Sequence, residues 1–145
     1  MFRQLAEGIY ASPQIGVAEI AEAKRLGVRL IINNRPDEEA PPPEQTPGDE
    51  IAAAAAAAGI AYCAIPVTHA GFSEPQVTAM AEALAGAEGP VLAYCRSGTR
   101  STLLWALAQA SKGAAPEALA NAAAGAGYDL SPIRPLLEML ATRQA

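Results

Sequence analysis

With 145 residues, 51% of them hydrophobic and 17% charged, the chain can bury one real core but is too short for two ordinary domains, so a single domain over 1–145 is expected. A formal charge of -5 and a pI near 4.8 argue against a sequence-independent nucleic-acid binder, which is normally basic. Two cysteines are too few for a disulfide framework, the opening MFRQLAEGIYASP lacks the continuous apolar run of a secretory signal, and the alanine-rich stretch 51–60 is too short and too weakly apolar to span a bilayer. A cytoplasmic protein without a membrane role is therefore expected.

Taken in chain order, residues 8–12 suggest a short strand, and 16–26 an amphipathic helix with Ile20, Ala23 and Leu26 on one side, ended by Gly27. The β-branched run 28–33 (VRLIIN) predicts a strand covered on both faces that stops at Asn34-Arg35-Pro36-Asp37. Prolines 41, 42, 43 and 47 predict an irregular, acidic and mobile surface excursion over 37–48. A helix over 49–58 closes at Gly59, and 60–66 (IAYCAIP) reads as the next strand. Ser73 is a suitable cap, with Gln76 at the third helical position, for a helix running to about residue 87. Residues 91–93 lead as a buried strand into Cys95, and a helix with Leu103, Leu104, Leu107 and Ala110 spaced for burial follows to about residue 111. Pro116 and Pro132 suit the first turns of two more helices, the second capped by Ser131 and separated from the first by 125–129. The alternation predicts an α/β fold with a mainly parallel central sheet flanked by helices and reactive loops at the carboxyl ends of its strands.

The run Ala93-Tyr94-Cys95-Arg96-Ser97-Gly98-Thr99-Arg100-Ser101 is the densest signal in the chain. A cysteine between a strand and a helix start, with Gly98 allowing a tight turn, places successive backbone N–H groups around the sulfur, a ring that favours negative charge. Arg96 and Arg100 add fixed positive charge for an anionic substrate, and no Asp or Glu occurs between Gly89 and Pro116. The plain alternative is a buried strand-end cysteine beside two surface arginines. Cys95 is expected to be the nucleophile, Arg100 and Arg96 its catalytic partners, and Ser97, Gly98, Thr99 and Ser101 part of the cradle. Loops 34–37 and 66–73 fall on the same sheet edge, so Arg35, Asp37 and His69 are further substrate-contacting candidates. Arg35 and Asp37 equally fit an ion pair bracing the turn before Pro36, and His69, the sole histidine, fits a solvated loop position. Cys63, Tyr62 and Trp105 read as core. No metal site and no cofactor are expected, since one histidine and two cysteines in separate strands lack ligand spacing.

On Asn34-Arg35-Pro36-Asp37, Ile65-Pro66-Val67, CRSGTRS with the helix 102–107, and Gly127-Tyr128-Asp129-Leu130, the chain resembles the bacterial beta-lactamase hydrolase-like family of candidate phosphatases and sulfur transferases. That resemblance implies the fold of the dual-specificity phosphatases. It leaves two chemistries to compare. Phosphatases of this type carry five residues between cysteine and arginine, whereas Cys95 and Arg100 are separated by four, with Ser101 one step further. The spacing is similar to the CRxGxR loop of rhodanese-type sulfurtransferases. Loop 66–73 also holds no carboxylate before Glu74 where such phosphatases place an acid, and Tyr94 stands where they usually show histidine. The expected activity is accordingly a sulfurtransferase carrying a persulfide on Cys95 between thiosulfate or a small persulfide and a thiol acceptor. By analogy with fused relatives, a persulfide dioxygenase is a candidate partner. The second reading is a phosphatase, with a phosphocysteine at Cys95, Arg100 clamping its oxygens, Asp37 or His69 as acid, and Ser101 sharing a hydrogen bond with the thiolate. A third is a binding module for anions or phospho-ligands without chemistry.

Overall fold

The computed structural model describes residues 1–144. Five strands form one sheet: β1 (Arg3–Ala6), β2 (Ile9–Ser12), β3 (Leu30–Asn33), β4 (Ala61–Ala64) and β5 (Val91–Tyr94), in the order β1-β2-β5-β3-β4. Only β1 and β2 are antiparallel; β2, β5, β3 and β4 run parallel, so their carboxyl ends share one edge. β1 lies outside the elements predicted from sequence. It buries only Leu5, the rest of RQLA is exposed, and its pairing with β2 slips between Gln4 and Ala6, so it carries little hydrophobic signal.

Six helices cover the sheet: α1 (Glu19–Arg25), α2 (Gly48–Ala57), α3 (Glu74–Gly86), α4 (Thr99–Ser111), α5 (Pro116–Gly125) and α6 (Arg134–Gln144). Strand alternation divides the core in two. Ile31, Leu92 and Tyr94 point toward α1 and α2 and pack with Ile20, Ala23, Ile51 and Ala55. Leu30, Ile32, Val91 and Ala93 point to the other face, against Val77 and Met80 of α3, Leu104, Trp105 and Leu107 of α4, and Leu137 of α6. Every residue of α4 from Arg100 to Ala108 is buried, because α3, α5, α6 and the sheet surround it. The helix after the cysteine is thus fixed on all sides.

Two helices start later than predicted. α1 begins at Glu19, since residues 16–18 form a turn, and Leu26 lies 42% exposed rather than on the buried side. Pro132 sits in a separate 3-10 turn, Ser131–Ile133, closed by Asp129, whose Oδ1 accepts the Ser131 N–H at 2.9 Å, so Ser131 does not cap α6. The Ser73–Gln76 capping box of α3 forms as expected. Among the described residues no helix is long and apolar enough to cross a membrane.

Loop 37–48 lies at the surface as expected, with 37–38 and 41–44 exposed, but it is pinned from within. Its first residues make a 3-10 turn, Asp37–Glu39, and the fully buried side chain of Gln45 bridges both ends of it: Nε2 donates to Pro36 O at 2.8 Å and Oε1 accepts from Ala40 N at 3.0 Å. That brace aims Glu39 inward.

Candidate active site

Cys95 leaves β5 at the common carboxyl edge, where its N–H donates to Ser12 O at the end of β2. Its side chain is fully buried, and Gly98 N–H donates to Sγ at 3.1 Å. Gly98 adopts φ +93°, a left-handed conformation that disfavours any residue with a Cβ. A Cβ there would also collide with the Tyr128 hydroxyl and lie 3.3 Å from the Ser12 carbonyl carbon. Tyr128 OH donates to Ser97 O at 3.2 Å and Thr102 Oγ1 to Gly98 O at 2.8 Å, so the loop is held from both sides. Gly98 itself offers no side chain to cap α4, and the Thr99 N–H of its first turn donates to Ser97 Oγ at 3.3 Å.

Arg100, in that first turn, is buried with a fully defined set of partners. NH1 donates to Glu39 Oε2 and to Val67 O, both at 2.6 Å, and NH2 donates to Glu39 Oε1 at 2.8 Å. Arg35 Nε donates to the same Glu39 Oε1 at 2.9 Å, and Arg35 NH1 to Gln14 Oε1 at 3.1 Å. Hydrogen bonds from Arg100, then from Arg35, hold the Glu39 carboxyl down at about 2, while Glu39 and the nearby Cys95 sulfur push Arg100 up. Two buried guanidinium groups facing one carboxylate leave a unit of uncompensated positive charge against Cys95. Buried charge of that kind calls for a counter-ion, which a bound anion supplies.

Asn34 joins the loops behind the cysteine. It is fully buried; its N–H donates to Tyr94 O at 2.8 Å, its Nδ2 to Ile65 O at 2.9 Å, and its O accepts from Val67 N at 2.9 Å. Its Oδ1 accepts from Ser101 Oγ at 2.8 Å. The Ser101 hydroxyl therefore gives its proton to Asn34 rather than to the sulfur that the sequence had suggested as its partner.

The other expected site residues divide. Asp37 Oδ1 accepts the Gly48 N–H at 2.9 Å, so its carboxylate is committed to the start of α2 and does not pair with Arg35. His69 is exposed on the loop that follows Val67, with no side-chain hydrogen bond among the described residues. Ser97 and Thr99 are exposed at the rim, where Ser97 Oγ donates to Thr99 Oγ1 at 2.9 Å. Arg96 is exposed and makes no ion pair among the described residues, although its carbonyl accepts Gln14 N–H at 3.2 Å. Glu39, Gln14, Asn34 and Val67 were not assigned roles from the sequence. The parallel pairing of β2 with β5 is the signal that adds Gln14 to this edge.

Cys63 is half-buried on β4, where burial pushes its thiol up, away from the reactive thiolate form. Tyr62 is only partly buried, and its hydroxyl accepts from Asn33 Nδ2 at 3.1 Å. Trp105 is in the core. Among the described residues no group of three or more His, Cys, Asp or Glu side chains is placed to hold a metal ion.

Residues 1–112 match the family described as beta-lactamase hydrolase-like protein, phosphatase-like domain. A beta-lactamase hydrolase-like protein of Xylella fastidiosa is 38% identical over 107 residues, 74% of this chain and 24% of the relative, so the chain spans about a quarter of such relatives. A solved structure from Neisseria meningitidis, described as a candidate phosphatase, superposes with a TM-score of 0.82 at 34% identity, covering 95% of this chain and 96% of the other. The P. aeruginosa protein TpbA, solved in complex with phosphotyrosine, shares the fold at a TM-score of 0.68 and 18% identity, covering 99% of this chain and 89% of the other. These similarities overturn the sulfurtransferase expectation: the matched family domain is described as phosphatase-like and the Neisseria structure as a candidate phosphatase, and neither supports a rhodanese-like persulfide carrier, a sulfur donor, a thiol acceptor or a persulfide dioxygenase partner. Residue counting misled because the position of the Arg100 guanidinium is set across the loop by Glu39 and Val67 O, not by its place in the chain. The neighbours have an α/β fold with a central sheet flanked by helices, as this chain has, and the chain belongs to the beta-lactamase hydrolase-like family, matching its phosphatase-like domain.

Proposed function

We propose that this chain is a cysteine-dependent phosphatase that works through a phosphocysteine on Cys95. The observation that carries the reading is the pairing of a buried sulfur, already accepting Gly98 N–H at 3.1 Å, with an arginine whose fork is oriented by Glu39. Both hydrogens of Arg100 NH1 and one of NH2 are taken, which leaves Nε and the remaining NH2 hydrogen for two phosphoryl oxygens. The loop amides and the N-terminus of α4 take the third oxygen.

The sulfur attacks phosphorus as thiolate, the S–P bond forms, and the leaving oxygen departs with the electron pair of the broken P–O bond. Water then attacks the phosphocysteine, releasing phosphate and restoring the thiolate. Arg100 and the amides bind the transferring group more tightly as charge spreads over its equatorial oxygens. Arg35 also donates to Glu39 Oε1 and so braces the carboxylate that holds the Arg100 fork. The substrates are phosphate esters or related phosphorylated anions, and the residues proposed for the chemistry belong to one domain over 1–145. Hydrolysis of p-nitrophenyl phosphate tests the reading: activity present in the wild type and lost in Cys95→Ser supports it, and activity equal in both rejects it.

A further inference from the structure

Leaving-group chemistry at this site is constrained by what the carboxylates do. Glu39, the carboxylate paired with the active-site arginines, is kept ionised by Arg100 and Arg35 and has no proton to give. Asp37 turns one oxygen to Gly48 N–H and lines the depression on the α2 side with Glu38, Gly48 and Tyr62, and Asp129 accepts from Ser131. The loop 66–73, which reaches the site through Val67 O, holds neither Asp nor Glu. His69 on that loop is exposed, and no partner among the described residues orients it. General-acid assistance contributes about 10²–10⁴-fold where it operates, and an alkoxide leaves very slowly without it. A phosphate leaves unaided, because its second ionisation lies near pH 6, about four units below that of a phenol near 10.

The rim supplies a second, independent constraint. Of the three arginines around Cys95, Arg35 and Arg100 are buried and tied to Glu39, whereas Arg96 is exposed and without an ion partner among the described residues. Its backbone is fixed by the Arg96 O to Gln14 N–H bond, so an exposed cation is carried by the residue directly after the nucleophile. A cation there has no role in holding the transferring phosphoryl group, which Arg100 and the amides already surround. It is placed for a further negative charge on the departing side.

Resting on the phosphatase reading, we infer that the substrate is a phosphoanhydride, a molecule whose leaving group is itself a phosphate, with Arg96 binding that leaving phosphate at the rim. The step balances without a protein acid. Cys95 sulfur bonds to the terminal phosphorus, the bridging P–O bond breaks, its electron pair leaves on the departing phosphate, and that phosphate takes any proton it needs from solvent. Water completes the cycle as before.

The test compares kcat/KM for p-nitrophenyl phosphate, phenyl phosphate and inorganic pyrophosphate in the wild type, Cys95→Ser and Arg96→Ala. Phenyl phosphate is expected at least about 100-fold below p-nitrophenyl phosphate, pyrophosphate at least about tenfold above phenyl phosphate, and the ratio of pyrophosphate to p-nitrophenyl phosphate about tenfold lower in Arg96→Ala. Phenyl phosphate within a few-fold of p-nitrophenyl phosphate, pyrophosphate left uncleaved, or a ratio unchanged in Arg96→Ala overturns the inference while leaving the phosphatase intact. Phosphate release from p-nitrophenyl phosphate that does not depend on Cys95 overturns the phosphatase reading and the inference with it.

Discussion

Glu39 and Arg100 stand 61 residues apart in the chain and form a two-point ion pair at 2.6 and 2.8 Å. The pair determines which edge of the guanidinium faces the sulfur. Replacing Glu39 with glutamine keeps the volume but removes the charge that orients the fork. Charged hydrogen bonds contribute about 1.5–3 kcal/mol, so kcat/KM for an aryl phosphate is expected to fall about 10- to 100-fold in Glu39→Gln and further in Glu39→Ala. Steady-state kinetics check this, and an unchanged or raised kcat/KM would mean that Glu39 blocks Arg100 instead of presenting it.

The same carboxylate has a pH signature. Its folded value of about 2 lies below the ordinary 4.5, so its contribution to stability is complete above pH 4.5 and is lost as pH falls toward 2. The contribution is on the order of 2 kcal/mol after allowance for partial exposure. Urea unfolding from pH 6 to pH 2 should show the gap between wild type and Glu39→Gln shrinking over that window. A gap independent of pH contradicts the assignment.

Ser101 and Asn34 provide a separate test of architecture. Ser101→Ala removes the donor to a buried Asn34 Oδ1 and leaves it unsatisfied, which costs about 1–3 kcal/mol. Asn34→Ala cuts links to both Ile65 and Ser101 and is expected to be worse. Denaturant midpoints measure both; a Ser101→Ala protein as stable as wild type would show that the hydroxyl serves the sulfur instead.

Gly98→Ala strains a left-handed residue by about 1–2 kcal/mol and drives a methyl into Tyr128 OH. Loss of activity is expected to exceed the loss of stability, because the Gly98 N–H that reaches Sγ must move. Unfolding and kinetics measured on one preparation separate the two effects.

How far the sequence carries follows from these residues. The placing of Cys95, Gly98 and Arg100 on one strand-to-helix turn was legible because they lie within six positions of one another. The strands 28–33 and 60–66 announced themselves by apolar runs, and Ser73 by its capping box. Glu39 was not legible: it sits in a proline-rich loop whose order comes from Gln45, one polar side chain buried against two backbone groups, and no periodicity reports that. Asp37, two positions earlier and next to the recognisable Arg35-Pro36, drew the attention that Glu39 merited. The chemistry was misread for a related reason. Spacing along the chain gives the distance between Cα atoms, whereas the guanidinium position depends on Glu39 and Val67, which come from two other loops.

The central claim is a covalent phosphoryl group on Cys95. Rapid acid quench during turnover of p-nitrophenyl phosphate, followed by intact-mass and peptide analysis, tests it most directly. The account predicts a mass gain of one phosphoryl group on the peptide containing Cys95, absent from Cys95→Ser. Turnover with no such adduct, or with the group on another residue, contradicts it.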